Sequence, residues 1–333
     1  MKVLVTGGAG FLGMAIVKLL ISRGYEVNTY SRGTYPELEK IGAKHFTGDL
    51  LEVEKLTQAA QGCEGVFHAA AKAGIWGKYQ NFYDANVLGT ENVINLCLRT
   101  GIDRCVYTSS PSVAYGPAGS EGLNEEQAPY PNSFKASYPQ TKAIAEKHVL
   151  QINGDNLATA AIRPHLIWGP GDHHFLPRLV RKSRAGKLSL IGNKQNLVDC
   201  IYIDNAAMAH IQLFENLAIH SPVAGKAYFI SQDNPIPISD LINKILEAAG
   251  APPVVKRISP TAAYMAGALL ERIYRLLRIS KEPRITRFVA EQLSTPHWFD
   301  ISAAKKDFGY QPTISIDEGM MYLKEWIEHH PIK

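Results

Sequence analysis

The sequence predicts an α/β protein in which a doubly wound parallel sheet is joined to a smaller, mainly helical lobe. Short apolar strands alternate with helical periodicity over the first half of the chain, as in folds with helices on both faces of a sheet. A glycine-rich turn links the first strand to the first helix. After Arg163-Pro164 the alternation ends, and prolines and glycines become frequent. We therefore expect a Rossmann-type domain over 1–165, to which segment 198–230 returns, and a second lobe over 166–333.

Each element has a local signal. A short apolar run predicts a strand at 3–5, and a buried strand is expected at 65–68. Further strands are expected at 27–30, 44–47, 104–108 and 158–162. Helical periodicity that ends at Arg23-Gly24 predicts a helix at 11–20, and Thr100-Gly101 closes a long helix expected at 81–99. Further helices are expected at 52–60 and 138–151. In the second half, helices are expected at 205–217, 238–249, 261–277 and 316–326. Asp204 is expected to be the N-cap of the first of these.

The composition is that of an ordinary globular protein. Of 333 residues, 46% are hydrophobic and 20% are charged, which excludes a disordered or fibrous chain. The 35 Lys and Arg residues stand against 31 Asp and Glu residues, and the net charge of +4 is dispersed. We therefore expect no nucleic-acid partner, since nucleic-acid-binding domains concentrate positive charge on one face.

The sequence indicates neither a disulfide framework nor a metal site. The cysteines, which show no CxxC spacing, are Cys63, Cys97, Cys105 and Cys200. The expected location is therefore the reducing cytoplasm. His173-His174 lacks a third ligand at the spacing that zinc needs, so no metal is expected.

No membrane segment is expected either. The chain starts directly with a strand signal, which predicts that there is no signal peptide. The apolar run 262–270 is shorter than the ~20 residues that span a bilayer.

The turn between the first strand and the first helix has the spacing of a phosphate-binding loop. Gly7 permits the tight turn, Gly10 lets the backbone approach a pyrophosphate, and Gly13 lets the helix pack close to the strand. The helix that begins at Phe11-Leu12 presents free N–H groups and the positive end of its dipole to a phosphate. A tight turn that binds nothing is the alternative.

The end of the second strand indicates which dinucleotide this loop would bind. A carboxylate there would hold the ribose 2′-hydroxyl of NAD, but residues 28–33 contain none. Ser31 and Arg32 suit a 2′-phosphate instead, so NADPH is the expected cofactor, with NAD still possible. The alternative is that Arg32 only stacks on the adenine. Asp49, followed by Leu50, would bond the adenine amino group or cap a helix.

Tyr138 and Lys142 are the candidate acid–base pair. They stand four residues apart at a helix start, so they share one face, and Pro139 suits the first turn. An ammonium near a phenol lowers its pKa from about 10, so Tyr138 would exchange a proton near neutral pH. Ser110, after the fifth strand, is the candidate to bond a substrate carbonyl. Ser109 is the alternative, because the register is open by one residue.

Together these motifs resemble the extended short-chain dehydrogenase/reductase family, over nearly the whole chain. Residues 6–13 match its cofactor loop, and Ser110, Tyr138 and Lys142 match its catalytic triad. The resemblance implies that the cofactor is also lined by Ala69, Ala70, Asn86, Lys142 and Pro164. It further implies a homodimer that pairs helices 81–99 and 138–151.

Within that family the sequence resembles the 3β-hydroxysteroid dehydrogenase branch. The segments that are also similar to the reductases of bacterial long-chain olefin biosynthesis are 70–79, 108–113, 142–146 and 163–172. That resemblance implies NADPH-dependent reduction of a lipid-like 2-alkyl-3-oxoalkanoate to the 2-alkyl-3-hydroxyalkanoate. One departure is His173-His174, where the family usually has one polar residue after Gly-Pro-Gly-Asp.

Other functions stay open on the sequence. A 3β-hydroxysteroid or sterol-carboxylate 3-dehydrogenase would use the same triad. A sugar-nucleotide epimerase would share the fold, but the second half shows no dense set of uridine-diphosphate contacts. A non-catalytic NADP(H)-sensing protein would need no triad, which argues against it.

Further residues have both a structural and a functional interpretation. Trp76 and Tyr79 would form the floor of a lipid pocket or simply pack a loop. Lys72 and His165 would bind a substrate carboxylate or serve only the structure. The helix expected at 261–277 has a basic side, and it would be a core or lid helix, or a surface for lipid or a partner enzyme.

Overall fold

Parallel strands dominate the computed structural model, which describes residues 1–115, 119–192 and 196–332. In chain order the strands are β1 (Lys2–Thr6), β2 (Glu26–Ser31), β3 (Lys44–Thr47), β4 (Gly65–His68), β5 (Arg104–Thr108), β6 (Ser120–Leu123), β7 (Ala158–Pro164), β8 (Ile167–Trp168), β9 (Leu190–Ile191), β10 (Leu197–Val198), β11 (Ile201–Tyr202), β12 (Ala227–Ile230), β13 (Ile236–Pro237), β14 (Arg257–Ile258) and β15 (His297–Phe299).

The helices alternate with the strands in the first half and become more frequent in the second. They are α1 (Phe11–Ser22), α2 (Pro36–Lys40), α3 (Val53–Ala59), α4 (Tyr79–Tyr83), α5 (Gly89–Thr100), α6 (Ser137–Gln151), α7 (Phe175–Arg184), α8 (Ile203–Asn216), α9 (Ile238–Ala248), α10 (Pro260–Leu276), α11 (Arg287–Ser294), α12 (Ser302–Phe308) and α13 (Ile316–His329). A π-turn, Asp84–Leu88, joins α4 to α5, and a 3-10 turn, Pro111–Ala114, follows β5.

The main sheet confirms the predicted doubly wound α/β class. Within the described residues, seven strands pair in the order β12-β7-β5-β4-β1-β2-β3. Every neighbouring pair is parallel. The chain starts in the middle, winds out to β3, and then returns to β4 and winds the other way. The reversal between β1 and β4 opens a crevice at their carboxyl ends, where such sheets bind ligands.

Helices cover both faces of this sheet, and its central strands β1 and β4 are buried along nearly their whole length. Val3, Val5 and Phe67 point into a core shared with α1 and α8. Leu4 and Val66, the alternate residues, point into a second core shared with α5 and α6. All five side chains have 0% exposure. The alternation of strand side chains therefore builds two cores from the same strands.

The single helix expected at 81–99 is interrupted by the π-turn. Such a turn accommodates one extra residue, which rotates the following side chains by about 100°. Phe82, Val87 and Val93 nevertheless all face the core, with 1%, 1% and 0% exposure. Because apolar residues continue on both sides of the turn, the helical periodicity did not reveal the interruption.

The second half contains a sheet that the sequence analysis did not predict. Within the described ranges, four strands pair in the order β13-β10-β15-β6. Each has only two to four residues, too few for an alternating pattern to be recognised. Around it, α9 packs on α7 and α13, and α10 packs on α11. Among the helices of the described ranges, none combines the length and apolarity that crossing a bilayer requires.

The N-cap expected at Asp204 is wrong. The N-cap of α8 is Tyr202, and Asp204 lies inside the first turn of the helix. A carboxylate in the first turn complements the helix dipole. The aspartate therefore correctly indicated that a helix begins here, but the helix begins before Asp204 rather than after it.

Candidate active site

The loop between β1 and α1 is held by close backbone contacts that require glycine. Gly7 has a φ of +70°, and a Cβ on it would lie 2.7 Å from the backbone of Ala70 and 3.1 Å from that of Ala69. A Cβ on Gly13 would lie 2.1 Å from the Gly7 carbonyl oxygen. Gly10 caps α1 without a side-chain acceptor, and this fully described first turn holds no carboxylate. The free N–H groups and the dipole of α1 therefore fit an anionic pyrophosphate.

The residues expected to select the cofactor lie near the carboxyl ends of β2 and β3. Ser31 accepts a hydrogen bond from a backbone N–H of the glycine loop at 3.4 Å, and Arg32 is exposed beside it. Asp49 accepts from the backbone N–H two residues on at 3.0 Å, so its carboxylate orders the turn before α3. Leu50 is 9% exposed and belongs to the core under this turn. Arg32 is thus a charge available to a ligand, whereas Asp49 has a structural partner.

A buried chain of hydrogen bonds joins β1, β4 and the π-turn. His68 Nδ1 lies 2.6 Å from Thr6 Oγ1, and His68 Nε2 lies 2.9 Å from Thr90 Oγ1. Thr90 in turn donates to the Asn86 carbonyl at 2.6 Å. Burial lowers the pKa of His68 to about 3, so the ring is neutral and pairs one donor nitrogen with one acceptor nitrogen. The glycine loop and the π-turn are therefore fixed to each other.

Asn86, at the centre of the π-turn, clamps the loop after β4 to α6. Its Oδ1 accepts from the Lys72 N–H at 2.7 Å, and its Nδ2 donates to the Lys72 carbonyl at 3.2 Å. Nδ2 also donates to Thr141 Oγ1 at 3.0 Å. Thr141 precedes Lys142, so Asn86 sets the position of the α6 face that carries the candidate acid–base pair.

Lys142 is buried where α6 meets the end of β5. The residue is 2% exposed, and its Nζ donates to the Thr108 carbonyl at 2.5 Å. The same Nζ lies 4.0 Å from the centroid of the Tyr107 ring. Burial lowers the pKa of Lys142 to about 7, and the carboxylate of Glu146 acts in the opposite direction. Lys142 is therefore a group whose charge changes near neutral pH.

Tyr138 lies within reach of Ser110. Burial raises the pKa of Tyr138, and the interaction with the Ser110 side chain opposes the rise. The lowering expected from Lys142 is not found, because burial dominates and the Lys142 ammonium is directed at the Thr108 carbonyl. Ser110 Oγ also lies 2.9 Å from Ser112 Oγ. Ser109 Oγ is buried with no partner among the described residues, so Ser110 is the serine that the fold brings to Tyr138.

Glu146 is a candidate site residue that the sequence reasoning missed. Glu146 is fully buried and accepts two bonds from Arg163, at 2.7 and 3.0 Å. The Tyr130 hydroxyl also donates to Glu146, at 2.5 Å. Glu146 stands one helical turn beyond Lys142 on the same face, and that i,i+4 continuation of the pair was the available signal.

A cleft of about 680 Å³ lies next to these groups, between the start of α6 and α11. Its wall includes Ser112 and Pro139, each close in sequence to the candidate catalytic residues. Aromatic side chains such as Tyr115, Phe134 and Phe288 line the rest. The volume and the apolar lining are typical of sites that bind small ligands.

The structure opposes a carboxylate-binding role for His165. Its Nε2 lies 2.9 Å from the Tyr115 hydroxyl, and its Nδ1 contacts the Asp199 carbonyl oxygen. Burial and the neighbouring His297 lower the pKa of His165 to about 3. A neutral ring with both nitrogens engaged supplies no charge for an ion pair.

The other singled-out residues have ordinary structural contacts. Trp76 Nε1 donates to the Ile279 carbonyl at 3.1 Å, and Tyr79 is 39% exposed. Lys72 Nζ lies 5.4 Å from the centroid of the Phe82 ring. Elsewhere in the described residues, no group of three or more metal-ligating side chains is found.

A profile of the 3-beta hydroxysteroid dehydrogenase/isomerase family matches residues 4–257. The chain belongs to this family. The match covers the glycine loop, the Tyr138–Lys142 helix and the main sheet from the middle of β1 onwards. The family resemblance argued from the motifs is therefore confirmed.

Named members of the 3-beta hydroxysteroid dehydrogenase/isomerase family align with nearly the whole chain. A 2-alkyl-3-oxoalkanoate reductase from Stenotrophomonas maltophilia (strain K279a) is 50% identical over 97% of this chain and 98% of its own. A protein of the same name from Shewanella oneidensis is 48% identical, over 96% and 84%. A sterol-4-alpha-carboxylate 3-dehydrogenase, decarboxylating, from Mus musculus is 34% identical, over 98% and 91%. The chain is accordingly an NAD(P)-dependent oxidoreductase that acts on CH–OH groups.

Solved structures show the same architecture. An epimerase from Methanothermobacter thermautotrophicus superposes with a TM-score of 0.80 at 20% identity, over 99% of this chain and 92% of its own. A UDP-glucuronic acid 4-epimerase from Bacillus cereus, in complex with NAD, superposes with a TM-score of 0.75 at 22% identity, over 100% of both chains. At such identities the likeness concerns the Rossmann-type fold alone.

Proposed function

We propose that the protein reduces the ketone of a long-chain 2-alkyl-3-oxoalkanoate to the 2-alkyl-3-hydroxyalkanoate. The observation that carries this proposal is the pair of relatives of that name, 50% and 48% identical over nearly the whole chain. The cleft of about 680 Å³ beside Pro139 supports it, since a mainly apolar cleft suits an alkyl chain.

In the proposed mechanism, the nicotinamide cofactor supplies the hydride for the ketone carbon when it is bound. Tyr138 donates its phenolic proton to the ketone oxygen as negative charge develops there. Ser110 donates a hydrogen bond to the same oxygen, which stabilises that charge. Lys142, with its ammonium charged, favours the phenolate that Tyr138 becomes.

The proposed cofactor is NADPH. The glycine loop and the α1 N-terminus are proposed to hold the pyrophosphate, through Gly7, Gly10, Phe11, Leu12 and Gly13. Arg32 is proposed to hold the 2′-phosphate, and the absence of a carboxylate in 28–33 supports this. The remaining proposed contacts are Asp49, Leu50, Ala69, Ala70, Asn86, Lys142 and Pro164. The proposed cofactor domain is 1–165 with 198–230, supported by the pairing of β12 with β7.

The two groups of relatives share one local chemistry. In a 2-alkyl-3-oxoalkanoate, the ketone carbon is next to the carbon that carries the carboxylate. In a sterol-4-alpha-carboxylate, the carbon bearing the 3-oxygen is likewise next to the carboxylate-bearing carbon. A sterol-carboxylate dehydrogenase is therefore the second candidate function, favoured by the 34% identity to the mouse protein.

The experiment that tests the proposal is run in the oxidative direction, because β-keto acids decarboxylate readily. Purified protein is given NADP⁺ or NAD⁺ with a 2-alkyl-3-hydroxyalkanoate, its methyl ester, or a 3β-hydroxysteroid. Cofactor reduction is followed by absorbance. We expect turnover of the free hydroxy acid with NADP⁺, weak turnover of the ester, and none of the steroid. Turnover of the steroid alone would move the function to the sterol branch.

We also infer a homodimer in which α5 and α6 of two chains form a four-helix bundle. An exposed leucine on α5, Leu98 at 39%, supports this arrangement. Sedimentation equilibrium is expected to give twice the chain mass of 36.7 kDa, and a mass of one chain would contradict the inference.

A further inference from the structure

The outer face of α10 carries a stripe of apolar side chains that the described part of the chain leaves uncovered. Met265, Leu269, Ile273 and Leu276 are 66%, 61%, 38% and 83% exposed. Their spacing places them on one side of the helix. Leu277, which follows the helix, is 63% exposed and extends the stripe. Single exposed apolar residues are ordinary, but a continuous stripe indicates a surface that meets a partner.

The opposite face of α10 already anchors the helix to the protein. Ala263, Gly267 and Glu271 are its buried residues. A Cβ on Gly267 would lie 2.7 Å from the Arg287 backbone nitrogen, so α10 and α11 are in direct backbone contact there. Glu271 accepts from the Arg287 backbone and guanidinium, both at 2.8 Å. The apolar stripe is therefore not needed to hold the α10–α11 hairpin in place.

The surface around the stripe is positively charged. Its exposed cations are Arg272, Arg275, Arg278, Lys281 and Arg284. The two carboxylates of segment 258–284 are engaged elsewhere, since Glu271 pairs mainly with Arg287, and Glu282 pairs with Arg178. An apolar stripe bordered by cations matches the acyl layer and the headgroups of an anionic lipid surface.

The same hairpin separates this outer surface from the cleft. Phe288 and Gln292 of α11 line the cleft. Lys135, on the opposite wall of the cleft, lies with Nζ 5.5 Å from the centroid of the Tyr264 ring of α10.

We propose that the α10 stripe docks the protein on an anionic lipid surface. The docking proposal depends only on the observations about this face. The further step, in which a lipid-like substrate enters the neighbouring cleft, rests on the proposed function.

Vesicle co-sedimentation of the full chain tests the docking. The probes are phosphatidylcholine vesicles and vesicles of phosphatidylcholine mixed with phosphatidylglycerol. We expect binding to the anionic vesicles to exceed binding to the neutral ones by about tenfold and to weaken as salt is raised. The double variant Leu269→Glu with Leu276→Glu should bind anionic vesicles about tenfold less. Met321→Glu is the matched control, since Met321 is 64% exposed on α13, and it should bind as the wild type does.

Several results would overturn the docking. These are equal binding to both kinds of vesicle, no binding to either, or a double variant that binds like the wild type. A second copy of the chain as the occupant would show as self-association that the double variant abolishes, without vesicle binding. Turnover of the long-chain 2-alkyl-3-hydroxyalkanoate, dispersed in detergent without vesicles, is measured alongside. Wild-type protein that binds vesicles but does not turn over the acid would contradict the proposed function and leave the docking intact.

Discussion

At the residue scale, burial governs the electrostatics of the candidate site. It lowers the pKa of Lys142 to about 7 and raises the pKa of Tyr138. Both shifts oppose a charged pair of ammonium and phenolate. The carboxylate of Glu146 raises the pKa of Lys142 and so opposes the effect of burial. The proposed chemistry depends on whether Lys142 keeps its charge under these two opposing effects.

Replacing Tyr138 by Phe removes the proposed proton donor and keeps the ring. We expect kcat to fall by ~10²–10⁴-fold, the usual contribution of general acid catalysis. The Kd for NADPH, measured by fluorescence titration, should stay unchanged. Tyr79→Phe, at an exposed position, is the matched control and should turn over normally. Near-normal turnover by the Tyr138 variant would refute the assignment.

Replacing Glu146 by Gln should shift the pH profile of the reduction. The Glu146 carboxylate raises the pKa of Lys142, so its removal lowers that pKa further. Lys142 then loses its proton at a lower pH, and the alkaline limb of kcat/KM should move to lower pH. Glu125→Gln, another substitution of a carboxylate near Arg163, is the control and should leave the limb in place. Reduced activity without movement of the limb would mean that Glu146 serves the structure only.

Replacing Arg32 by Ala tests the proposed cofactor preference. Charge-assisted bonds to a phosphate contribute ~1.5–3 kcal/mol, so the Kd for NADPH should rise by roughly tenfold to a hundredfold. The Kd for NADH should change little, because NADH has no 2′-phosphate. Arg99→Ala, an exposed arginine on α5, serves as the control. Equal losses for both cofactors would exclude the phosphate role.

At the element scale, the π-turn and the start of α6 act as one positioning unit. Asn86 bonds the loop after β4 through both backbone groups of Lys72, and it bonds α6 through Thr141. The chain of bonds from Thr6 through His68 and Thr90 fixes the same turn to β1. A change in this unit is therefore transmitted to Lys142 without touching it.

Asn86→Ala is predicted to lose both stability and turnover. Leaving buried partners unpaired costs about 1–3 kcal/mol of unfolding free energy. Because α6 loses its clamp, kcat should fall as well. Asn92→Ala is the control, since Asn92 makes one comparable bond, to the Leu50 carbonyl at 2.9 Å, away from α6. Urea unfolding and steady-state kinetics give the two readouts. Equal kcat values for the Asn86 and Asn92 variants would contradict a positioning role for Asn86.

At the scale of the whole molecule, Asp199 joins the small sheet to the main sheet. The residue follows β10, and its carboxylate accepts from Ser231 Oγ after β12 at 2.7 Å and from the Asn234 N–H at 3.3 Å. Its carbonyl oxygen contacts His165 after β7. Burial raises the pKa of Asp199 to about 6.

This raised pKa predicts a pH-dependent stability. An unfolded Asp titrates near ~3.9, so between about pH 4 and pH 6 the native state binds the proton more tightly than the unfolded state. The contribution of Asp199 to stability is therefore full below about pH 4 and is lost as pH rises through about 6. Asp199→Asn removes the titrating group. As the pH rises from about 4 to about 6, the unfolding free energy of the wild type should therefore fall by roughly 2–3 kcal/mol relative to that of the variant. Urea unfolding at several pH values measures this difference. Asp155→Asn, at a side chain that is 86% exposed, is the control. A difference between Asp199→Asn and the wild type that does not vary with pH would argue against the prediction.

Local patterns explain why some elements were predictable and others were not. The strands at 65–68 and 104–108 were predicted with their observed bounds, because their central residues are buried and mainly apolar. The strand at 44–47 was also predicted with its observed bounds, although its side chains are partly or fully exposed. The two-residue strands β10 and β13 form only because other segments pair with them. The π-turn likewise depends on what Asn86 bonds, which the sequence spacing of apolar residues does not show.

The sequence by itself determined the parallel sheet, the glycine loop and the shared helix face of Tyr138 and Lys142. These follow from strand alternation, helical periodicity and the i,i+4 spacing, all of which are properties of neighbouring residues. The tertiary structure alone decided that Ser110 rather than Ser109 reaches Tyr138, that His165 is neutral and engaged, and that Glu146 supports the charge of Lys142. Burial and pairing decide these points, and both depend on how segments distant in the chain pack together.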